Sequence, residues 1–178
     1  MCNHSISHKC RKKYFEEDNL LEYFLVSLGG SVKHIDNLIQ LNFEFETYEF
    51  KVLAYQNLHS DLVKSKIVVE ELNDRSTYLF VRGPKEEMLP LFNTLNPFNK
   101  QIYSVLREEN LEGERLLLYG FWKLDEFDKK DFLESYEEAC FSPLNSEEKV
   151  EKVFEKFEQN LTYVGGVGLQ EDIPKSVS

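Results

Sequence analysis

Residues 38–55, LIQLNFEFETYEFKVLAY, decide the fold class, because apolar side chains occupy odd positions up to Phe45 and even positions from Tyr48 onward. Leu41, Phe43 and Phe45 alternate with Asn42, Glu44 and Glu46; Tyr48, Phe50, Val52 and Ala54 then alternate with Glu49 and Lys51. A strand sends successive side chains to opposite faces, so a period of two marks one apolar face. A two-residue turn at Glu46-Thr47 sets residues 45 and 48 opposite each other, and the parity switch then keeps the apolar side chains of both strands together. The stretch predicts an antiparallel hairpin.

Working outward, Ile67, Val68 and Val69 face residues 77–81 across the turn group Asn73-Asp74-Arg75, which predicts a second hairpin. Before the first hairpin, Leu20, Tyr23, Phe24 and Leu28 recur at helical spacing and Gly29-Gly30 supplies a helix stop, predicting a helix over 15–28. After the second hairpin, Pro84 with Glu86 and Glu87 opens a helix that carries Met88, Leu91, Phe92 and Leu95. Pro90 inside it costs about 3 kcal/mol, so that helix starts nearer Leu89 or kinks there. Asn96-Pro97-Phe98-Asn99 ends the element, and residues 102–107 read as a strand.

Residues 115–124 form the longest strand candidate, with Leu116, Leu118, Trp122 and Leu124 on one face and Leu117, Tyr119 and Phe121 on the other. Such a strand is central or meets a partner chain, and Gly120 inside it marks a bulge or a close backbone approach. Asp128 caps a helix whose stripe is Phe132, Leu133, Tyr136, Ala139 and Cys140, stopped by Ser142-Pro143. Asn145-Ser146-Glu147-Glu148 opens a last amphipathic helix with Val150, Val153, Phe154, Phe157 and Leu161 on one face. It packs back on its own sheet or clasps another protein, and the first is the preferred reading. The expected organisation is a basic flexible tail over 1–13, a single α+β domain over 14–161 with an appended helix at 145–161, and an irregular tail over 162–178. The order is α-ββββ-α-ββ-α-α, an antiparallel sheet with flanking helices.

A chain of 178 residues buries about 70% of its unfolded surface, enough for a core without disulfides or a structural metal. The 21 basic and 32 acidic residues give a net charge of −11, which opposes docking on nucleic acid or anionic lipid. Charge is uneven: Lys9, Arg11, Lys12 and Lys13 precede Tyr14, after which 17 basic and 32 acidic residues leave −15. No run approaches the roughly 20 apolar residues of a membrane span, and the first residues do not resemble an export signal. Cys2, Cys10 and Cys140 form no paired framework, which suits a reducing compartment. The expectation is a cytoplasmic protein.

Candidate chemistry is sparse. Cys2, His4, His8 and Cys10 make a Cys-x-His-x-x-x-His-x-Cys set of soft donors, but structural zinc sites draw two pairs from separate segments, so adventitious affinity of a terminal tail is the expectation. Cys140 on an apolar helix stripe is a small hydrophobe with a raised pKa rather than a nucleophile. His34 and His59 read as surface histidines near strand ends. Glu70-Glu71, Glu108-Glu109 and Glu137-Glu138 are neighbours that point apart, a solvated rim rather than acid/base pairs. Gly165-Gly166-Val167-Gly168 lacks the strand, helix and Lys-Ser/Thr of a phosphate loop. No catalytic residue and no cofactor is expected.

Asn19-Leu20-Leu21-Glu22-Tyr23-Phe24 with Leu28-Gly29, Leu91-Phe92-Asn93-Thr94-Leu95-Asn96, and Glu114-Arg115-Leu116-Leu117-Leu118-Tyr119-Gly120 fall in the order of elements of a known group. On these residues the region from Phe15 to Cys140, about two-thirds of the chain, resembles the type III secretion chaperone-like fold and the YbjN-type sensory-transduction regulators. The resemblance implies a small acidic protein, commonly a homodimer and without an active site; the secretion chaperones hold an extended client segment on apolar patches. It places Met88, Leu91, Phe92 and Leu95 near a dimer seam, with Leu116, Leu118 and Trp122 in the strand beneath. The chain departs from the pattern in its four strands before the second helix, in Pro90 and in its C-terminal helix and tail.

The function expected from all this is a non-catalytic acidic protein-binding module, chaperone-like or regulatory, that grips a partner segment on an apolar helix or sheet face. Two alternatives belong to other classes. One is a small-molecule enzyme or ligand carrier with a pocket between helix and sheet; the other is a metal or redox sensor using the N-terminal Cys/His set.

Overall fold

The computed structural model describes residues 30–43, 46–56, 63–108 and 114–170. Their backbone forms one seven-stranded antiparallel sheet in which every strand pairs with its sequence neighbours: β1 (Ser31–Ile35), β2 (Leu38–Phe43), β3 (Glu46–Gln56), β4 (Ser65–Glu71), β5 (Thr77–Pro84), β6 (Glu114–Leu124) and β7 (Thr162–Gln170). Helices α1 (Lys85–Met88) and α2 (Pro97–Glu108) lie between β5 and β6, and α3 (Glu126–Cys140) and α4 (Ser146–Phe157) between β6 and β7. The chain is thus α+β with an antiparallel sheet. The helix expected over 15–28, the basic tail over 1–13 and residues 171–178 lie outside the described residues.

The first hairpin forms, in a different register from the expected one. Leu41 pairs with Tyr48, Ile39 with Phe50 and Phe43 with Glu46, so the connection falls two residues earlier than Glu46-Thr47. Odd positions still oppose even ones, which preserves the apolar face. The second hairpin closes at the anticipated group: Arg75 adopts a left-handed backbone at φ 63° and the Asp74 carboxylate accepts from the Ser76 amide at 2.8 Å.

Several expectations need correction. The helix carrying Met88 stops there, and Pro90 sits in a 3₁₀ turn (Leu89–Leu91) where its missing N–H costs little. Leu95 therefore lies in a loop and is 90% exposed. Residues 102–107 belong to helix α2 rather than a strand; Pro97 starts it, and the Asn96 side chain accepts from the Phe98 amide at 2.9 Å as its cap. Asp125, not Asp128, caps α3 by accepting from the Asp128 amide at 2.8 Å. Residues 162–170 are not an irregular tail. They form β7, whose Gly166 lies under Leu118 so closely that a Cβ would come within 2.9 Å of its Cδ2.

One face of the sheet makes the core. Ala54, Val68, Leu79, Val81 and Leu118 from the strands meet Met88, Phe92, Leu106, Phe132, Phe154 and Phe157 from the connections and helices. Phe132 stands edge-on to both Phe154 and Phe157, with ring centroids 5.1 and 5.3 Å apart. The α4 helix thus packs intramolecularly, and burying Phe132 and Phe154 completely contributes roughly 2–3 kcal/mol each. Gly120 does both things expected of it. The register with β7 shifts there, leaving Val164 as the extra residue, and a Cβ on Gly120 would meet Phe92 at 2.8 Å.

Buried Asn99 ties α2 to the start of β7. Its amide donates to the Leu161 and Asn93 carbonyls at 2.9 and 3.0 Å, and its oxygen accepts from the Tyr163 amide at 3.0 Å.

Candidate functional site

The feature that bears on function is the second face of the sheet. Paired residues of antiparallel strands share a face, so register assigns each side chain. Val52, Val69 and Tyr78 align across β3, β4 and β5, and Ile67, Phe80 and Phe121 across β4, β5 and β6, all opposite the core row of Val68 and Leu79. Tyr78, Phe80 and Phe121 form a triad with all three ring centroids 6.0 Å apart, and Lys123 lies 5.6 Å over the Tyr78 ring. Ile39 and Leu41 extend this face through Phe50 and Tyr48 to the β1 edge. Among the described residues, the helices set their buried side chains against the first face, and none joins the triad.

A bulge brings these residues onto one surface. Val52 pairs with Val69 but Ala54 with Val68, so Leu53 is an extra residue and β3 exchanges faces at that point. Before the bulge the even positions of β3 face away from the core; after it Ala54 and Gln56 face into it. The apolar side of the first hairpin consequently faces away from the helices.

The residues singled out in the sequence fall elsewhere. Met88, Phe92 and Leu118 are at most 5% exposed and belong to the core, so the chain's own side chains already cover them. Leu91, Leu116 and Trp122 are half-buried against the same core, Trp122 beside Phe157. Leu95 is exposed in the loop between the 3₁₀ turn and α2. These seven residues line no common open surface. The periodicity that makes them prominent is that of an interior. Of the triad, the sequence marks Phe121 through the second apolar face of β6, while Tyr78 and Phe80 read only as members of a strand whose other face is the core.

The polar chemistry is structural in arrangement. Lys66, with its side chain 1% exposed, lies 3.1 Å from Glu158 and 5.8 Å from the Phe154 ring, and Lys64 makes a second ion pair to Glu158. Lys64 reaches it by running over Gly83, where a Cβ would come within 2.7 Å of its Cγ. Two ammonium groups thus compensate a carboxylate at the C-terminal end of α4, where the helix dipole disfavours one. Glu70 is paired with Lys129 and Arg75, and the Lys129 hydrogen bond leads in holding its carboxyl below the ordinary glutamate range.

Cys140 is exposed at the end of α3, yet burial of its surroundings pushes the thiol up, while burial likewise raises the neighbouring Tyr136 hydroxyl. Neither direction suits a nucleophile. His34 is on the exposed β1, whereas His59 and the set Cys2, His4, His8 and Cys10 lie outside the described residues. Among the described residues no group of three or more His, Cys, Asp or Glu is placed to hold a metal, and no helix is long and apolar enough to cross a membrane. Gly165, Gly166 and Gly168 belong to the edge strand β7.

No family model matches the chain. A stretch of 82 residues, 44% of the chain, is 37% identical to part of guanylate cyclase alpha of Plasmodium falciparum (isolate 3D7). The match spans 2% of that protein's length.

Proposed function

We propose that the chain is a non-catalytic, acidic protein-binding module, chaperone-like or regulatory, that holds a partner segment on the second face of its sheet. The observation that carries this reading is the aromatic and aliphatic surface around Tyr78, Phe80 and Phe121, set on the face opposite the described helices. A sheet face lined by aromatic and aliphatic side chains, with Lys123 at its margin, suits an extended or helical partner better than it suits a small molecule, which needs a concave site with convergent polar groups. The net charge of −11 keeps copies apart in solution and favours partners that are basic or mainly apolar. The resemblance to secretion chaperones and YbjN-type regulators points the same way, with the difference that the contact surface moves from the Met88 helix to the sheet.

The test is retention of a permanently unfolded, carboxymethylated protein by the full chain, compared with Phe80→Glu and Phe121→Glu variants. The wild type is expected to retain that protein, and each variant, with its fold verified by circular dichroism, to lose at least about tenfold in apparent affinity. Equal behaviour of all three, or no retention by any, refutes the proposal.

A further inference from the structure

The two edge strands of the sheet differ in kind. β1 contains Lys33, the sort of charge that keeps a bare strand from pairing with another molecule. At the opposite edge the chain covers only the approach to β7: Leu161 bonds Leu91 and Asn93 in a parallel bridge, and the Asn99 side chain accepts from the Tyr163 amide. From Val164 to Gln170, β7 pairs with β6 alone among the described residues. That stretch, VGGVGLQ, holds no charge and no proline, and its Val164 and Val167 are exposed. We infer that β7 is a dimerisation edge, on which residues 164–170 of two copies pair antiparallel about a two-fold axis at Val167.

This register uses the whole bare stretch. Centring on Val167 sets 164 opposite 170, which stops short of the amide that Asn99 holds. Gly166 then meets Gly168 of the second copy on the core face, and Val167 meets its own counterpart on the other face. Pro84, Leu117 and Val167 already share a row across β5, β6 and β7, so the rows of two copies join into one apolar line across the seam. Acidic surface repels copies elsewhere, but residues 88–107 and 159–170 contain no aspartate or glutamate, and Lys100 and Arg107 make the first of these segments positive. Asn99 ties the helix that carries Lys100 and Arg107 to β7, so the edge is flanked by the part of the chain that repels a second copy least. A strand paired with its own copy closes on itself, which gives a dimer rather than a filament. The seam differs from one at Met88 and Phe92, since the core buries both.

Sedimentation equilibrium and hydrogen exchange of the full chain test the assignment. The wild type is expected to be a dimer at about 100 μM and to dissociate toward about 1 μM. Val167→Lys sets two ammonium groups opposite each other on the axis and is expected to weaken association at least about 100-fold, while Ile35→Lys, at an exposed site on β1, is expected to leave it unchanged. Amides of 164–170 in the wild type are expected to exchange at least about tenfold more slowly at the higher concentration. Protection of β4 and β5 in Val167→Lys verifies its fold; where that variant unfolds, the concentration dependence of exchange in the wild type decides alone. A monomer at the higher concentration, a dimer that survives Val167→Lys or is lost in Ile35→Lys, an assembly larger than a dimer, or exchange of 164–170 independent of concentration overturns the assignment. A dimer that fails to retain the unfolded protein upholds this seam and overturns the proposed function, whereas a monomeric wild type that retains it does the reverse.

Discussion

Replacing Glu158 by glutamine tests whether the buried Lys66 depends on its carboxylate partner. The two side chains are 1% and 3% exposed and their charged atoms stand 3.1 Å apart, so solvent screens the pair little. At an effective dielectric constant of about 20, unit charges at that distance attract by about 5 kcal/mol, which sets the scale of what the lysine gains for its lost hydration. Glutamine keeps the shape but removes the charge, leaving an ammonium beside Phe154 with no counter-ion; breaking such a buried pair costs about 3–5 kcal/mol. For a chain of this size the midpoint of thermal unfolding falls by roughly 6–15 °C. The double replacement Lys66→Met/Glu158→Leu removes both charges and is expected within about 1 kcal/mol of the wild type, or above it, because Lys64 is exposed enough to turn to water. Urea unfolding at constant m-value measures Glu158→Gln beside the cycle made of the wild type, Lys66→Met, Glu158→Leu and the double variant. A loss below about 1 kcal/mol in Glu158→Gln, or a double variant as unstable as the sum of the singles, refutes the reasoning.

Phe92→Ala is expected to destabilise by about 3–5 kcal/mol and Leu95→Ala by less than about 0.5 kcal/mol, a contrast in urea midpoints that vanishes if the two share one helical face. Gly120→Ala drives a methyl into Phe92 and Leu161 and is expected to cost about 1–3 kcal/mol, relieved in a Gly120→Ala/Phe92→Leu double variant; equal losses in both count against the close approach. Glu70 has a folded pKa below its unfolded one, so the unfolded chain takes up the proton first on acidification. Its contribution is complete above the ordinary glutamate range and lost as pH falls through the folded value; Lys129→Met is expected to flatten this acid limb of the stability curve, and an unchanged limb contradicts the assignment. Cys140, though exposed, is expected to react with iodoacetamide severalfold more slowly than a free thiol at pH 8, with its rate rising at higher pH than usual; a normal profile contradicts the raised pKa.

Much of the architecture was legible because it follows from local rules. Alternation over 38–55, the Asn73-Asp74-Arg75 turn and the stripe of α3 each name their element through side-chain period or turn chemistry. Helix α2 was misread because Ile102 and Val105 are β-formers, while its real signals, Asn96 as cap and Pro97 as first residue, also serve as a chain stop. β7 was missed because glycines at 165, 166 and 168 read as irregular backbone; close approach of Leu118, a tertiary fact, makes one of them necessary. Asn99 and Lys66 left no trace in the sequence at all. A buried polar residue is chosen by the carbonyls or carboxylate that meet it, and those come from Leu161 and Glu158, distant along the chain.

The candidate site was hidden by a single residue. Had β3 run without Leu53 as an extra position, Phe50 and Val52 would share a face with Ala54, and the apolar sides of both hairpins would merge into one core under the helices. The bulge instead turns the first hairpin's apolar side outward, so the sheet acquires a second greasy surface that the described helices do not serve. Burial of a sheet on both faces demands a second covering layer.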